Sequence, residues 1–205
     1  MNFFLMLPGA FLAPILHEWV KAKVSAAMGD PVPRNSGFLT WNPLKYFEPI
    51  GFFFMLAFGV GWGQPVPTSP MYYKDRRMGT ILVHVSPILA NLMVGMLVAF
   101  FWQMFAPNIL WAIYDTPWAA SLFINVHWGV RIFAEMNVGL AIFSLIPVFP
   151  MAGNKLLQLF VSPTTAMSLT HREKMLQIVM IFLLMFNILQ MFIFPIRNFI
   201  LGLVW

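Results

Sequence analysis

A histidine followed by a glutamate on a helix can work on metal-bound water. The stretch from Leu12 to Lys23, LAPILHEWVKAK, places His17 and Glu18 at the inner end of a long apolar run. The complete form of that pattern is His-Glu-x-x-His. Its two histidines lie on one helical face and grip one zinc ion, while the glutamate acts as general base on the bound water. Here Lys21 stands where the second histidine belongs. A lysine ammonium has three donors and no acceptor, so it repels a zinc ion instead of ligating it.

The elements that must position this stretch are apolar throughout. Of the 205 residues, 60% are hydrophobic and only 9% charged, and the mean hydropathy is +0.78. A soluble domain carries about 25% charged residues, so the chain reads as an all-α polytopic membrane protein with the lipid bilayer as solvent. It forms a single membrane domain over 1–205, without repeats. Zero cysteines exclude disulfides, thiolate metal sites and thiol catalysis. The 16 methionines and 22 phenylalanines read as lipid-facing and interhelical packing. The net charge of +5 reads as membrane orientation and not as nucleic-acid binding. No basic stretch precedes the first apolar run, so no cleaved signal peptide is expected.

In order, helices are expected over about 3–28, 80–106, 119–146 and 177–194. Pro8 and Pro14 fall inside the first, which a membrane helix tolerates. Residues 30–47, DPVPRNSGFLTWNPLKYF, are rich in Pro, Asn and Gly and predict a β-hairpin or extended loop at the membrane surface. The apolar core of 48–67, EPIGFFFMLAFGVGWGQPVP, falls short of the ~20 residues a span needs. It predicts a re-entrant segment over about 49–63, packed near His17. Basic residues then set topology. Lys21, Lys23, Arg34, Lys45, the Lys74–Arg76–Arg77 cluster and the loop with Lys155, His171, Arg172 and Lys174 are expected on the cytoplasmic side. Residues 107–117, with Asp115, are expected outside. This holds only if 49–63 re-enters. Pro195 to Trp205 reads as a short terminal piece anchored by Trp205.

With these stretches laid out, the chain resembles the site-2 protease family of intramembrane zinc metalloproteases (peptidase family M50), especially its compact prokaryotic branch. MGDPVPRNSGFLTWNPLKYFEPIG (28–51) is similar to the segment after that family's metal-binding helix. GVGWGQPVPTSPMYYKDRR (59–77) resembles its Gly-Trp-x-x-Pro-Val-Pro loop. VSPILANL (85–92) resembles its Gly-Pro-x-x-Asn helix start, with Ser86 in the glycine position. NVGLAIFSLIPVFPMAGNKLL (137–157) resembles its closing Asn…Leu-x-Pro-x-x-Pro-Leu-Asp-Gly motif. The resemblance implies a site-2 protease-like helical core and three protein zinc ligands, which fall on His17, Lys21 and Ala152. Only His17 can ligate. Glu18 keeps the general-base position, now vestigial. Asn91 and Asn137, with Pro147 and Pro150, fall on positions that hold substrate in the family, and would here form a groove for a partner.

The two losses agree physically. Lys21 and Glu18 stand at i+3 and i on one helical face, so an ion pair can replace the metal and neutralise a carboxylate within the membrane. Ala152 removes a second carboxylate that would then have no counter-charge. His84 is the one substitute ligand the sequence offers. His171 sits in a charged loop and reads as solvated. His127 lies on the outer half of its helix, on the wrong side for the metal position. His127, Arg131 and Glu135 share one face of the fourth apolar element, which reads as a self-contained pair, a partner-contact face or an ion path.

The leading expectation is a catalytically inactive site-2 protease-like protein in a prokaryotic cytoplasmic membrane. It would serve as a structural, assembly or regulatory subunit beside other membrane proteins, with no cofactor. The alternatives are an active intramembrane zinc endopeptidase with atypical ligands, and a small transporter or channel using the His127–Arg131–Glu135 face. The short loops and the lack of an appended soluble domain point to action through lateral contacts in the membrane.

Overall fold

The computed structural model describes residues 3–113 and 116–205; Asp115 lies outside them. A 3-10 turn, Phe3–Leu5, leads into α1 (Leu7–Ala27), followed by the single turn α2 (Val32–Asn35) and α3 (Pro49–Phe58). Then come α4 (Arg76–Ile113), α5 (Pro117–Phe143), α6 (Ala152–Leu157), α7 (Pro163–His171), α8 (Glu173–Met185) and α9 (Ile188–Leu201). Among the described residues there is no strand. The chain is an all-α membrane protein.

Two helical stretches, Phe3–Ala27 and Arg76–Ile113, are long and apolar enough to cross a bilayer, with mean hydropathies of 1.5 and 2.1. At ~1.5 Å per residue α4 is about 57 Å long, so it extends beyond the ~30 Å hydrocarbon core. Pro8 of α1 sits in the first turn, where its missing N–H would have no intrahelical partner anyway. α5 has the length of a span, but Asn125, Arg131, Glu135 and Asn137 lower its hydropathy. The span expected over 177–194 is not one helix. α8 and α9 meet at a 71° bend. The break falls at Asn187, whose φ is 58°. Asparagine tolerates the left-handed conformation at low cost, and a helix entering it must stop.

The hairpin-or-loop segment 30–47 is a loop. Pro31, Pro33 and Pro43 each lack the N–H that a ladder would require. The segment instead folds through α2 and a 3-10 turn, Pro43–Tyr46, capped by Asn42, whose Oδ1 accepts from Leu44 N at 3.1 Å. Phe38 and Tyr46 turn inward against Ala22 and Val66, and the Tyr46 hydroxyl donates to Phe38 O.

α1, α4 and α5 pack together and form the centre of the bundle. Ala10, Ala13, Met136, Leu140 and Phe143 are buried between them, joined by Phe54, Met55 and Trp62 from the α3 segment. α3 has ten residues, about 15 Å, half of a bilayer core. It ends at Gly59 in the left-handed region (φ 73°). From there the chain runs without regular structure to Ser69, against the same stretch of α1 that carries His17.

Candidate functional site

α1 buries His17, Glu18 and Lys21 together, each less than a tenth exposed. His17 Nδ1 lies 3.0 Å from Asn91 Oδ1 on α4. The Asn91 Nδ2 group donates to Ala13 O and to Asn137 Oδ1, both at 3.0 Å. Both acceptors require a donor, so the Asn91 oxygen faces the imidazole and Nδ1 carries the proton. Asn137 in turn donates to Phe133 O at 2.9 Å. This amide relay ties three helices and leaves Nε2 as the imidazole's acceptor nitrogen, the orientation that a supporting residue gives a metal-binding histidine.

The remainder of the centre is built around an ion pair. Glu18 Oε2 accepts from Lys21 Nζ at 3.3 Å and from Val66 N at 2.8 Å. The Val66 amide reaches it because the chain beyond α3 passes very close to α1. A Cβ on Gly63 would stand 3.0 Å from both Pro14 O and Tyr46 O, and 3.2 Å from Glu18 Cγ. Only glycine leaves that approach open. Gln64 N then donates to Tyr46 O at 2.8 Å, and Trp62 stacks on Phe54 at 5.4 Å.

A second anchor holds the far end of this segment. The Asp30 carboxylate, 2% exposed, accepts from Ser25 Oγ at 2.9 Å, Val32 N at 2.9 Å and Ser69 N at 2.7 Å. The Tyr73 hydroxyl joins through Ser25 at 2.9 Å, and burial pushes this phenol's pKa up. Sequence reasoning missed this knot, although an aspartate directly after a helix end, in Met28-Gly29-Asp30-Pro31, is a turn-and-cap signal. It could not have found the Val66 amide, because a main-chain donor carries no residue signature.

Ala152 begins α6 and is buried beside Ile88 and Ala141. Ser144 donates to Leu140 O at 2.7 Å and its carbonyl accepts from Gly153 N at 2.8 Å, folding the turn back on α5. Pro150, His17, Glu18, Trp62 and Ser144 line a void of about 10 Å³, room for about one water. Pro147, in the same turn, is exposed and does not line it.

This donor set does not fit a catalytic zinc ion. One imidazole is available, the adjacent carboxylate is bonded to an ammonium, and the third ligand position is a methyl group. Among the described residues, no three histidine, aspartate or glutamate side chains converge to hold a metal. His84 is buried on α4, its Nδ1 2.9 Å from Thr80 O, and it lines a separate cavity with Arg76, Arg77 and Lys155. His171 is exposed on α7.

The polar face of α5 divides. His127 Nδ1 accepts from Trp102 Nε1 at 2.8 Å, and the ring packs against Trp205. Arg131 Nε donates to Glu135 Oε1 at 3.0 Å. The bend before α9 brings in Arg197, whose Nη2 lies 3.6 Å from Glu135 Oε2. Two guanidiniums therefore share one carboxylate beside a cavity of about 320 Å³. Sequence reasoning missed Arg197; the signal was a single arginine within an apolar terminal stretch.

No family model and no solved structure matches the chain. The chain is 27% identical over 158 residues to the protein named "Putative zinc metalloprotease YwhC" of Bacillus subtilis (strain 168). The matched stretch covers 77% of this chain and 69% of that one. This similarity accords with a site-2 protease-like membrane protein.

Proposed function

We propose that this chain is a non-catalytic relative of the site-2 proteases that serves as a structural, assembly or regulatory subunit of a membrane complex. The observation that carries the reading is the Lys21–Glu18 pair, closed by the Val66 amide at the position of the catalytic centre. A general base must reach a water and take its proton. Glu18 instead has Oε2 held by an ammonium and a main-chain N–H, and the void beside it has room for about one water and none for a peptide. The charge that zinc would supply comes from a side chain, and the protein holds no cofactor there. The chain works through lateral contacts, with the Arg131–Glu135–Arg197 face against another membrane subunit and the basic loops in the cytoplasm.

The test is zinc per chain in protein purified in mild detergent, with co-purifying subunits quantified in the same preparation. The expected result is zinc far below stoichiometric and a partner in fixed ratio, lost on Glu135→Gln. Zinc near one per chain overturns the reading, as does metal-dependent peptide cleavage abolished by Glu18→Gln.

A further inference from the structure

A cavity of about 590 Å³ opens beside the first turns of α4, with the buried His84 in its lining. Arg76, Arg77 and Lys155 line it. Lys155 Nζ pairs with Glu173 Oε1 at 2.9 Å. The guanidiniums of Arg76 and Arg77 have no carboxylate partner among the described residues; Arg77 lies over the Phe160 ring at 5.5 Å. The neighbouring acid, Asp75, is committed to the helix start, where its Oδ1 accepts from Arg77 N at 2.8 Å and Met78 N at 3.0 Å. The cavity therefore carries an excess of positive charge. Thr80 and Gln158 add hydrogen-bonding groups to its wall. His84, 4% exposed, donates Nδ1–H to Thr80 O, which leaves its other ring nitrogen as an acceptor for a headgroup hydroxyl and not for a phosphate oxygen.

The surroundings select the kind of anion. Basic residues at the end of an apolar helix lie at headgroup level. The Phe160 ring, 70% exposed, lies under the Arg77 guanidinium, and Leu159 and Pro70 line the cavity itself. A small soluble anion would use the cations and leave these residues uncovered. A lipid would use both, with its phosphate on the guanidiniums and its acyl chains along the apolar rim. We propose that this cavity is a binding site for the phosphate headgroup of an anionic phospholipid. Arg76 and Arg77 are its primary cations, and Lys155 is held partly in reserve by Glu173. The site uses neither Glu18 nor Lys21 as a binding group, although Lys21 lies close enough to act electrostatically on His84.

The test uses the full chain in mild detergent, titrated with phosphatidylglycerol, phosphatidylcholine or inorganic phosphate, with bound lipid read by native mass spectrometry. Phosphatidylglycerol is expected to bind well over phosphatidylcholine. At about fivefold for each interfacial basic residue, Arg76→Gln with Arg77→Gln should weaken it about 25-fold. Lys23→Gln with Lys45→Gln, remote cations that lie over Trp19 and Phe38, should leave it unchanged. Glu173→Gln frees Lys155 and should tighten binding several-fold, a gain that misfolding cannot imitate. Equal binding of the two lipids, equal loss in the remote lysine variant, no gain in Glu173→Gln, or inorganic phosphate binding as tightly as phosphatidylglycerol would each overturn the proposal.

Discussion

Replacing Lys21 with methionine removes the ammonium and keeps most of the side-chain volume. Lys21 Nζ and Glu18 Oε2 are 3.3 Å apart, with side chains 10% and 8% exposed. At an effective dielectric near 20, the attraction at that distance is about 5 kcal/mol. Removing one partner of a buried pair costs about 3–5 kcal/mol, because the other charge is left in a poor solvent. The Val66 amide, 2.8 Å away, still holds Glu18, so the lower end applies: a loss of about 3 kcal/mol. The double variant Glu18→Gln/Lys21→Met has no stranded charge, and its amide oxygen can still accept from Val66 N. Its expected cost is within about 1 kcal/mol of the native protein, as for neutral replacements of buried pairs. The assay is reversible unfolding in mixed micelles followed by helical circular dichroism, analysed as a double-mutant cycle. Lys21→Met within about 0.5 kcal/mol of native, or single costs that simply add in the double variant, would refute the ion pair as the replacement for a metal.

Other outcomes follow from the same geometry. Lys21→His with Ala152→Asp should restore three ligands to the centre and bring zinc toward stoichiometric, measured by elemental analysis; neither change alone should do so. No zinc in the double variant would count against a site converted from metal to ion pair. Asp30→Asn removes a carboxylate that accepts three hydrogen bonds; a loss of about 2 kcal/mol is expected, with faster hydrogen exchange at Ser69 and Val66. Unchanged exchange there would mean that the carboxylate does not hold the segment, which the Glu18–Val66 and Tyr46–Gln64 bonds then keep in place. Asn91→Leu should cost about 3 kcal/mol, since it strands His17 Nδ1 and Asn137 Oδ1 at once. Asn137→Leu added to it should cost much less than it does alone.

The helical bundle was legible because long apolar runs have few alternatives in a bilayer. Composition carried the fold class, and the short apolar core before Gly59 carried the broken α3 segment. What composition could not carry was the chain path where backbone groups, not side chains, do the bonding. Residues 30–47 alternate weakly and so admitted a hairpin; three prolines and the inward turn of Phe38 and Tyr46 settle them as a loop. The run 177–194 is mostly apolar and carries no charge, and hydropathy does not register a break that depends on the φ of Asn187. At the centre, the i, i+3 spacing of Glu18 and Lys21 sufficed to expect their contact. The Asn91–Asn137 relay required three helices at their true separations, and Arg197 joined Glu135 only through the bend that hydropathy misses.

The retention of Glu18 sharpens the argument about the centre. A glutamate kept beside His17 invites a catalytic explanation, yet its bonds supply a structural one. Its Oε2 is a single acceptor between α1 and the 59–69 segment, and Val66 N is a buried donor with no ladder partner in the irregular chain. Losing the carboxylate would orphan that amide, at about 1–3 kcal/mol, and leave Lys21 as an unpaired charge within the bundle. Once Lys21 occupies the histidine position, Glu18 can no longer be lost without a second cost, whether or not chemistry is required of it. The reverse also holds: a lysine is tolerable at this depth only because the carboxylate is already there. Glu18→Gln separates the two roles. It preserves an acceptor for Val66 and strands only Lys21, so its cost should approach that of Lys21→Met while hydrogen exchange at Val66 stays slow.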